Sequence, residues 1–147
     1  MNIRSFVAAA TLVLASTLSL AAAEYEVRML NKGADGQTMV FEPEFLQIAV
    51  GDTVTFIASD KGHNAETIKG MFPEGGNEFK GKINEEISVT FNVEGAYGYK
   101  CAPHFAMAMV GLIVVGDNPA NLDAITDARG PAKVKAKFSE LAAMVGQ

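Results

Sequence analysis

Of the 147 residues in this chain, the ones able to do chemistry together are two histidines, a single cysteine and some of the seven methionines. Cys101 is followed by His104 and then Met109, a C-x2-H-x4-M spacing that puts three candidate ligands in one short segment. The other histidine, His63, lies upstream in Gly62-His63-Asn64. A thiolate is soft and electron-donating, and two imidazoles complete a trigonal His2Cys plane. A weak axial thioether then tunes the redox potential without fixing either oxidation state in its preferred geometry, which is the donor set of a one-electron copper site. Cu(I) and Cu(II) favour different coordination, so a compromise site that moves little on transfer suits an electron carrier.

Other chemistries fit these residues less well. Zinc also takes Cys and His, but it rarely accepts a thioether, and one Cys with two His leaves its tetrahedron short. A catalytic copper site needs further ligands, commonly His, and both histidines are already used; this argues for an electron carrier and against an enzyme. A carrier that hands over copper itself is a third class, against which a buried thiolate in a chelating loop argues. With no second cysteine an internal disulfide is impossible, so Cys101 is a buried apolar residue, an intermolecular partner or a metal ligand, and its histidine neighbours favour the ligand. The axial position stays open on the residues alone. Met107 is two residues from Met109, and strand alternation turns both the same way. Met39 and Met71 read as core or surface filler.

The elements that must position these groups read as strands. Tyr25–Leu30, Met39–Phe41, Phe45–Val50, Thr53–Ala58, Ile87–Phe91, Tyr97–Cys101 and Val110–Val115 are short apolar or alternating runs separated by Gly, Pro, Asn and Asp. This predicts an all-β sandwich or barrel, with His63 just after one strand and the Cys101–Met109 loop between two adjacent ones. The tail changes period. Asn118-Pro119 reads as an N-cap and first position opening a short helix to about Asp127. Gly130-Pro131 opens a second, with Val134, Phe138, Leu141, Ala142 and Val145 in one apolar stripe suited to packing on the sandwich.

The N-terminus belongs to a different category. Arg4, the apolar run Phe6–Leu20 and Ala21-Ala22-Ala23 form the pattern of a secretory signal peptide, residues 1–23, cleaved after Ala23. The run is shorter than the ~20 residues that span a bilayer, so the expected product is one domain, 24–147, in the periplasm and free of the membrane. The formal net charge of −5 becomes one unit more negative when Arg4 is lost, which speaks against nucleic-acid binding. Nothing in the chain signals an oligomer, so a monomer is expected.

The stretch Gly95-Ala96-Tyr97-Gly98-Tyr99-Lys100-Cys101-Ala102-Pro103-His104, continuing through Met109 to Val115, resembles the copper loop of plastocyanin-like cupredoxins. Upstream, Phe41-Glu42-Pro43, Gly51–Phe56 and Gly62-His63-Asn64 are similar to that family's first ligand region. Over its whole length the mature chain most resembles the pseudoazurin branch, periplasmic type 1 blue-copper proteins with two helices where plastocyanins end soon after the last strand. The resemblance implies a Greek-key β-sandwich with two C-terminal α-helices. It implies one copper ion held by His63 Nδ1, Cys101 Sγ and His104 Nδ1, with the four-residue gap assigning the axial position to Met109. It further implies that Asn64 ties the two ligand loops together and helps hydrogen-bond the thiolate. Pro103 withholds an N–H from the sulfur, and Met39 packs near the exposed imidazole.

Lys61, Lys69, Lys80, Lys82 and Lys100 lie in or beside segments expected around the copper end, where Pro103, Met107 and Met39 would frame His104. Such a ring would steer an acidic partner into transient, salt-sensitive docking. The resemblance implies copper nitrite reductase, nitrous oxide reductase or another denitrification reductase, and c-type cytochromes as those partners.

Overall fold

Alternation along Thr53–Ile57 sets the pattern of the fold. Val54 and Phe56 are fully buried, while Thr53 and Thr55 point outward and share hydrogen bonds of 2.7 Å with Thr90 and Ser88 across the sheet. Burial with period two is what a strand with one face on a core requires. The computed structural model describes residues 20–147, so nearly all of the expected signal segment lies outside the described residues. Among them run β1 (Glu24–Lys32), β2 (Thr38–Glu42), β3 (Phe45–Ile48), β4 (Thr53–Ile57), β5 (Glu66–Thr67), β6 (Ile87–Thr90), β7 (Gly95–Lys100) and β8 (Val110–Val115). They form two four-stranded sheets, ordered β2-β1-β4-β6 and β3-β8-β7-β5. The pairs β1–β4 and β3–β8 are parallel and the rest antiparallel, giving a Greek-key sandwich.

The inner faces meet in Val27, Met29, Phe41, Phe56, Phe91, Tyr97 and Tyr99, and the same core contains Cys101 and Met109. Tyr99 packs edge-on against Phe41 and Phe56, with centroids 4.8 and 5.1 Å apart. Its ring lies where a Cβ on Gly111 of β8 would stand, so that position accepts no larger residue without displacement. A second core forms on the outer face of β8. There Val110, Leu112 and Val114 pack against α1 (Leu122–Thr126) and α2 (Ala132–Ala142) through Ile125, Val134, Phe138, Leu141 and Ala142. The stripe expected on the last helix is therefore the face that docks. Lys137 fastens it from the side, its ammonium 3.0 Å from Glu44.

Several boundaries differ from expectation. The short β5 is an added strand, β1 runs on to Lys32, β3 stops at Ile48, β7 starts at Gly95, and Pro131 caps the second helix instead of opening its first turn. The first helix begins at Leu122 with Asn121, not Asn118, before it. Asn121 gives its side chain to β7, accepting the Ala96 N–H at 2.7 Å and donating to the Ala96 carbonyl at 2.9 Å. That pairing delays the first turn. At the other end of the chain, the Ala23 N–H donates to Asp52 at 2.8 Å and its carbonyl accepts from Thr53, so the bonded domain starts one residue before the expected cut.

Parallel pairing of β1 with β4 brings both strands to an end on the same side of the sandwich. β7 ends and β8 begins close to the segment that follows β4, because Ala102 is tied to Asn64. All candidate ligands lie in the segments that leave these strand ends.

Candidate metal centre

His63 follows β4 by a tight loop. Gly62, at φ +93°, makes the left-handed turn that a side chain would strain, and its N–H donates to Asn84 Oδ1 at 2.7 Å. The Asn84 N–H returns a bond to the His63 carbonyl at 2.9 Å, so Asn84 clamps both sides of the turn. Between β7 and β8 the chain folds through a 3₁₀ helix, Ala102–Met107, and a left-handed Ala108. The loop is closed by Cys101 N–H to Met109 carbonyl at 3.0 Å and Met109 N–H to His104 carbonyl at 3.2 Å. Asn64 joins the two loops, its Oδ1 accepting the Ala102 N–H at 2.7 Å.

Three donor atoms converge as a result. His63 Nδ1 and His104 Nδ1 are 3.2 Å apart, and Cys101 Sγ is 3.7 and 3.4 Å from them. Three donors at bonds of ~2.0–2.3 Å, the usual range for N and S on a transition metal, stand roughly 3.5 Å apart in a trigonal plane. The cluster therefore fits a single metal ion of that kind. Both His63 and Cys101 are buried, and His104 is half-buried at the surface.

The surroundings set the state of each donor. His63 Nε2 is 2.8 Å from Asn31 Oδ1, an acceptor that places the ring proton on Nε2 and leaves the Nδ1 lone pair facing the other donors. Burial holds the His63 pKa below its ordinary value, the His104 charge adds to this, and Asp60 opposes it. Burial pushes the Cys101 thiol up, against the backbone N–H groups of Asn64 and His104 that favour the thiolate, while the Glu66 charge adds to the rise.

Residues 27–116 match the copper binding proteins of the plastocyanin/azurin family. A pseudoazurin from Paracoccus pantotrophus is 50% identical over 139 residues, covering 94% of this chain and 95% of its own. The chain belongs to the plastocyanin/azurin family of copper-binding proteins. Within that family it is of the pseudoazurin type, an electron carrier and not an enzyme. A solved pseudoazurin structure from Sinorhizobium is 52% identical with a TM-score of 0.79, covering 85% of this chain and 99% of that one. A Cu-containing nitrite reductase from Thermus scotoductus shares the fold over a quarter of its own length, at 27% identity and a TM-score of 0.52, covering 72% of this chain.

On this cupredoxin scaffold the structure brings His63, Cys101 and His104 together. Met109 is fully buried in the same core as Cys101, whereas Met107 is half exposed. Alternation does not relate the two, because the 3₁₀ helix and the left-handed Ala108 intervene. Asn64 ties the loops by its side chain, its Oδ1 accepting the Ala102 N–H. Pro103 is exposed at the start of the 3₁₀ helix. Met39 shares a hollow with Met107 and Ala108.

The five lysines fare differently. Lys61, Lys80 and Lys82 are exposed. Lys69 is exposed but lies in a hollow with Asp127 and Arg129 beside α1. Lys100 is no free cation: it pairs with Glu66 at 3.6 Å and lies over the Phe105 ring at 5.1 Å. Sequence reasoning passed over Asn31, which orients the His63 ring, and Asn84, which clamps its turn.

Proposed function

We propose that this cupredoxin is a periplasmic one-electron carrier. In this reading His63 Nδ1, Cys101 Sγ and His104 Nδ1 would hold one copper ion, Met109 would add a weak thioether, and residues 1–23 are a signal segment removed on export. Bound there, copper supplies a Cu(I)/Cu(II) couple at a thiolate. The chain supplies the rest. Asn31 keeps His63 in the tautomer that offers Nδ1, Asn64 holds the Cys101 loop against the His63 loop, and the core around Cys101 excludes water. The half-buried His104 gives a short route for an electron to leave. The observation that carries the reading is the convergence of the three donor atoms within 4.8 Å, from one loop clamped by Asn84 and one closed by its own backbone bonds.

A visible spectrum of the mature protein with one equivalent of Cu(II), before and after ascorbate, tests it. An intense blue-to-green band, bleached by ascorbate and restored by oxidant, is the expected result. A colourless or non-cycling protein overturns it. As partner we infer an acidic redox protein, with copper-containing nitrite reductase first and nitrous oxide reductase or a c-type cytochrome after it. The exposed Lys61, Lys80 and Lys82 and the Met39–Met107 hollow support transient docking at the His104 end.

A further inference from the structure

Glu66 is the carboxylate whose charge bears on the Cys101 thiol, although it lies outside the donor set. Its side chain is only 13% exposed, and its two oxygens face different partners. Oε2 accepts from Asn64 Nδ2 at 3.1 Å, the same amide whose oxygen holds the Ala102 N–H. Oε1 faces the Lys100 ammonium at 3.6 Å. The sheet imposes this arrangement: Glu66 stands opposite Lys100 in the β5–β7 ladder and is bridged to Lys80 on its other side. Opposite charges directly across an antiparallel pair attract, and partial burial weakens their screening by solvent. A carboxylate so placed is one of two anchors of the Asn64 amide, whose Nδ2 also donates to the Gly81 carbonyl at 3.1 Å, and it adds negative charge near the thiolate through space. Lys100 offsets the second effect and leaves the first.

We propose that Glu66 is a positioning residue for the Cys101 loop and that, with Lys100, it forms a compensated charge pair setting how strongly the site favours the oxidised over the reduced metal. This rests on the copper reading above. Removing the Glu66 charge favours the reduced form, which carries one positive charge less; removing the Lys100 charge favours the oxidised form. A Lys100 variant with weakened partner reactivity therefore mixes a change in driving force with a change in docking, and rates alone cannot separate the two.

The test uses copper-loaded native protein and the variants E66Q, E66A, K100Q and E66Q/K100Q, each equilibrated with a one-electron reference couple, with visible spectra alongside. The one-electron equilibrium shifts roughly 3- to 10-fold toward the reduced form in E66Q and by a similar factor toward the oxidised form in K100Q. The double variant returns near native. E66Q keeps an acceptor for the Asn64 amide and leaves the charge-transfer band in place, whereas E66A moves it. Unchanged equilibria, or single variants that shift the same way, overturn the charge pair. A band equally affected, or equally unaffected, in E66Q and E66A overturns the positioning role. Lys100 is partly exposed, so K100Q remains folded and informative even where E66A does not. A native protein with no thiolate–copper band would instead refute the function itself, before any variant is compared.

Discussion

Replacing Asn31 by alanine removes one acceptor and leaves everything else near His63 in place. The Asn31 backbone N–H still donates to Asp60 at 2.7 Å, so the link between β1 and the His63 loop survives. What is lost is the 2.8 Å bond from His63 Nε2–H, on a ring that is fully buried. An unsatisfied buried donor costs about 1–3 kcal/mol. Asn31 itself is exposed, so water can enter the gap, which places the loss at the low end, about 1 kcal/mol in the metal-free fold. Freed of its acceptor, the imidazole also samples the tautomer that blocks Nδ1. Loss of such outer partners lowers metal affinity by ~10–100-fold, and the same water argument favours a value near 10-fold. Asn31→Asp keeps an acceptor and retains most of the affinity. Urea titration of the metal-free protein and competition for copper with a chelator measure both quantities. An N31A protein binding copper as tightly as native, or an N31D protein losing as much as N31A, would refute the reasoning.

Met109→Leu conserves core volume, so the protein folds with a cost under about 1.5 kcal/mol. Its copper-loaded spectrum and potential change, while Met107→Leu alters neither; equal effects would remove Met109 from the axial position. Gly111→Ala places a methyl into the Tyr99 ring and destabilises by about 1–3 kcal/mol or more, read as a lower thermal midpoint. In the metal-free protein the depressed His63 pKa makes stability depend on pH. The unfolded chain takes up the proton first, so this contribution is complete above the unfolded value of ~6.5 and falls as pH drops below it, levelling off beneath the folded pKa. Urea midpoints between pH 7.5 and 5 show this slope, which His63→Gln flattens. Lys61→Ala with Lys82→Ala slows electron transfer to an acidic partner several-fold at low ionic strength, measured by stopped flow. The difference closes as salt shortens the Debye length toward ~3 Å at 1 M, and Lys69→Ala has little effect.

The parts legible in the sequence are those whose signal is local. Val54 and Phe56 alternate with threonines, and Val110–Val115 is apolar throughout because one face meets the sandwich core and the other meets the helices. Cys101, His104 and Met109 fall within one loop, and His63 stands out because histidine is scarce here. Asn31 and Asn84 are common polar residues in turn-rich stretches, and their roles arise from partners 32 and 22 positions away that only the pairing of strands and loops brings near. The split between Met107 and Met109 depends on a 3₁₀ turn and one left-handed alanine, neither of which residue type announces. Lys100 reads as a docking cation until the β5–β7 register sets Glu66 opposite it.

Each donor is held by bonds in which no metal takes part. The His63 turn is clamped by Asn84 and its ring by Asn31; Cys101 is tied to Met109 and its loop to Asn64. A site fixed in this way presents nearly the same geometry to either oxidation state, which keeps the rearrangement accompanying electron transfer small. The same burial divides the protonation work unequally. His63 is held neutral, already in the form that ligates, whereas the Cys101 thiol is pushed up and must lose its proton when metal enters. Affinity therefore rises with pH through the thiol, and the backbone groups of Asn64 and His104 that favour the thiolate lower the pH at which that rise ends.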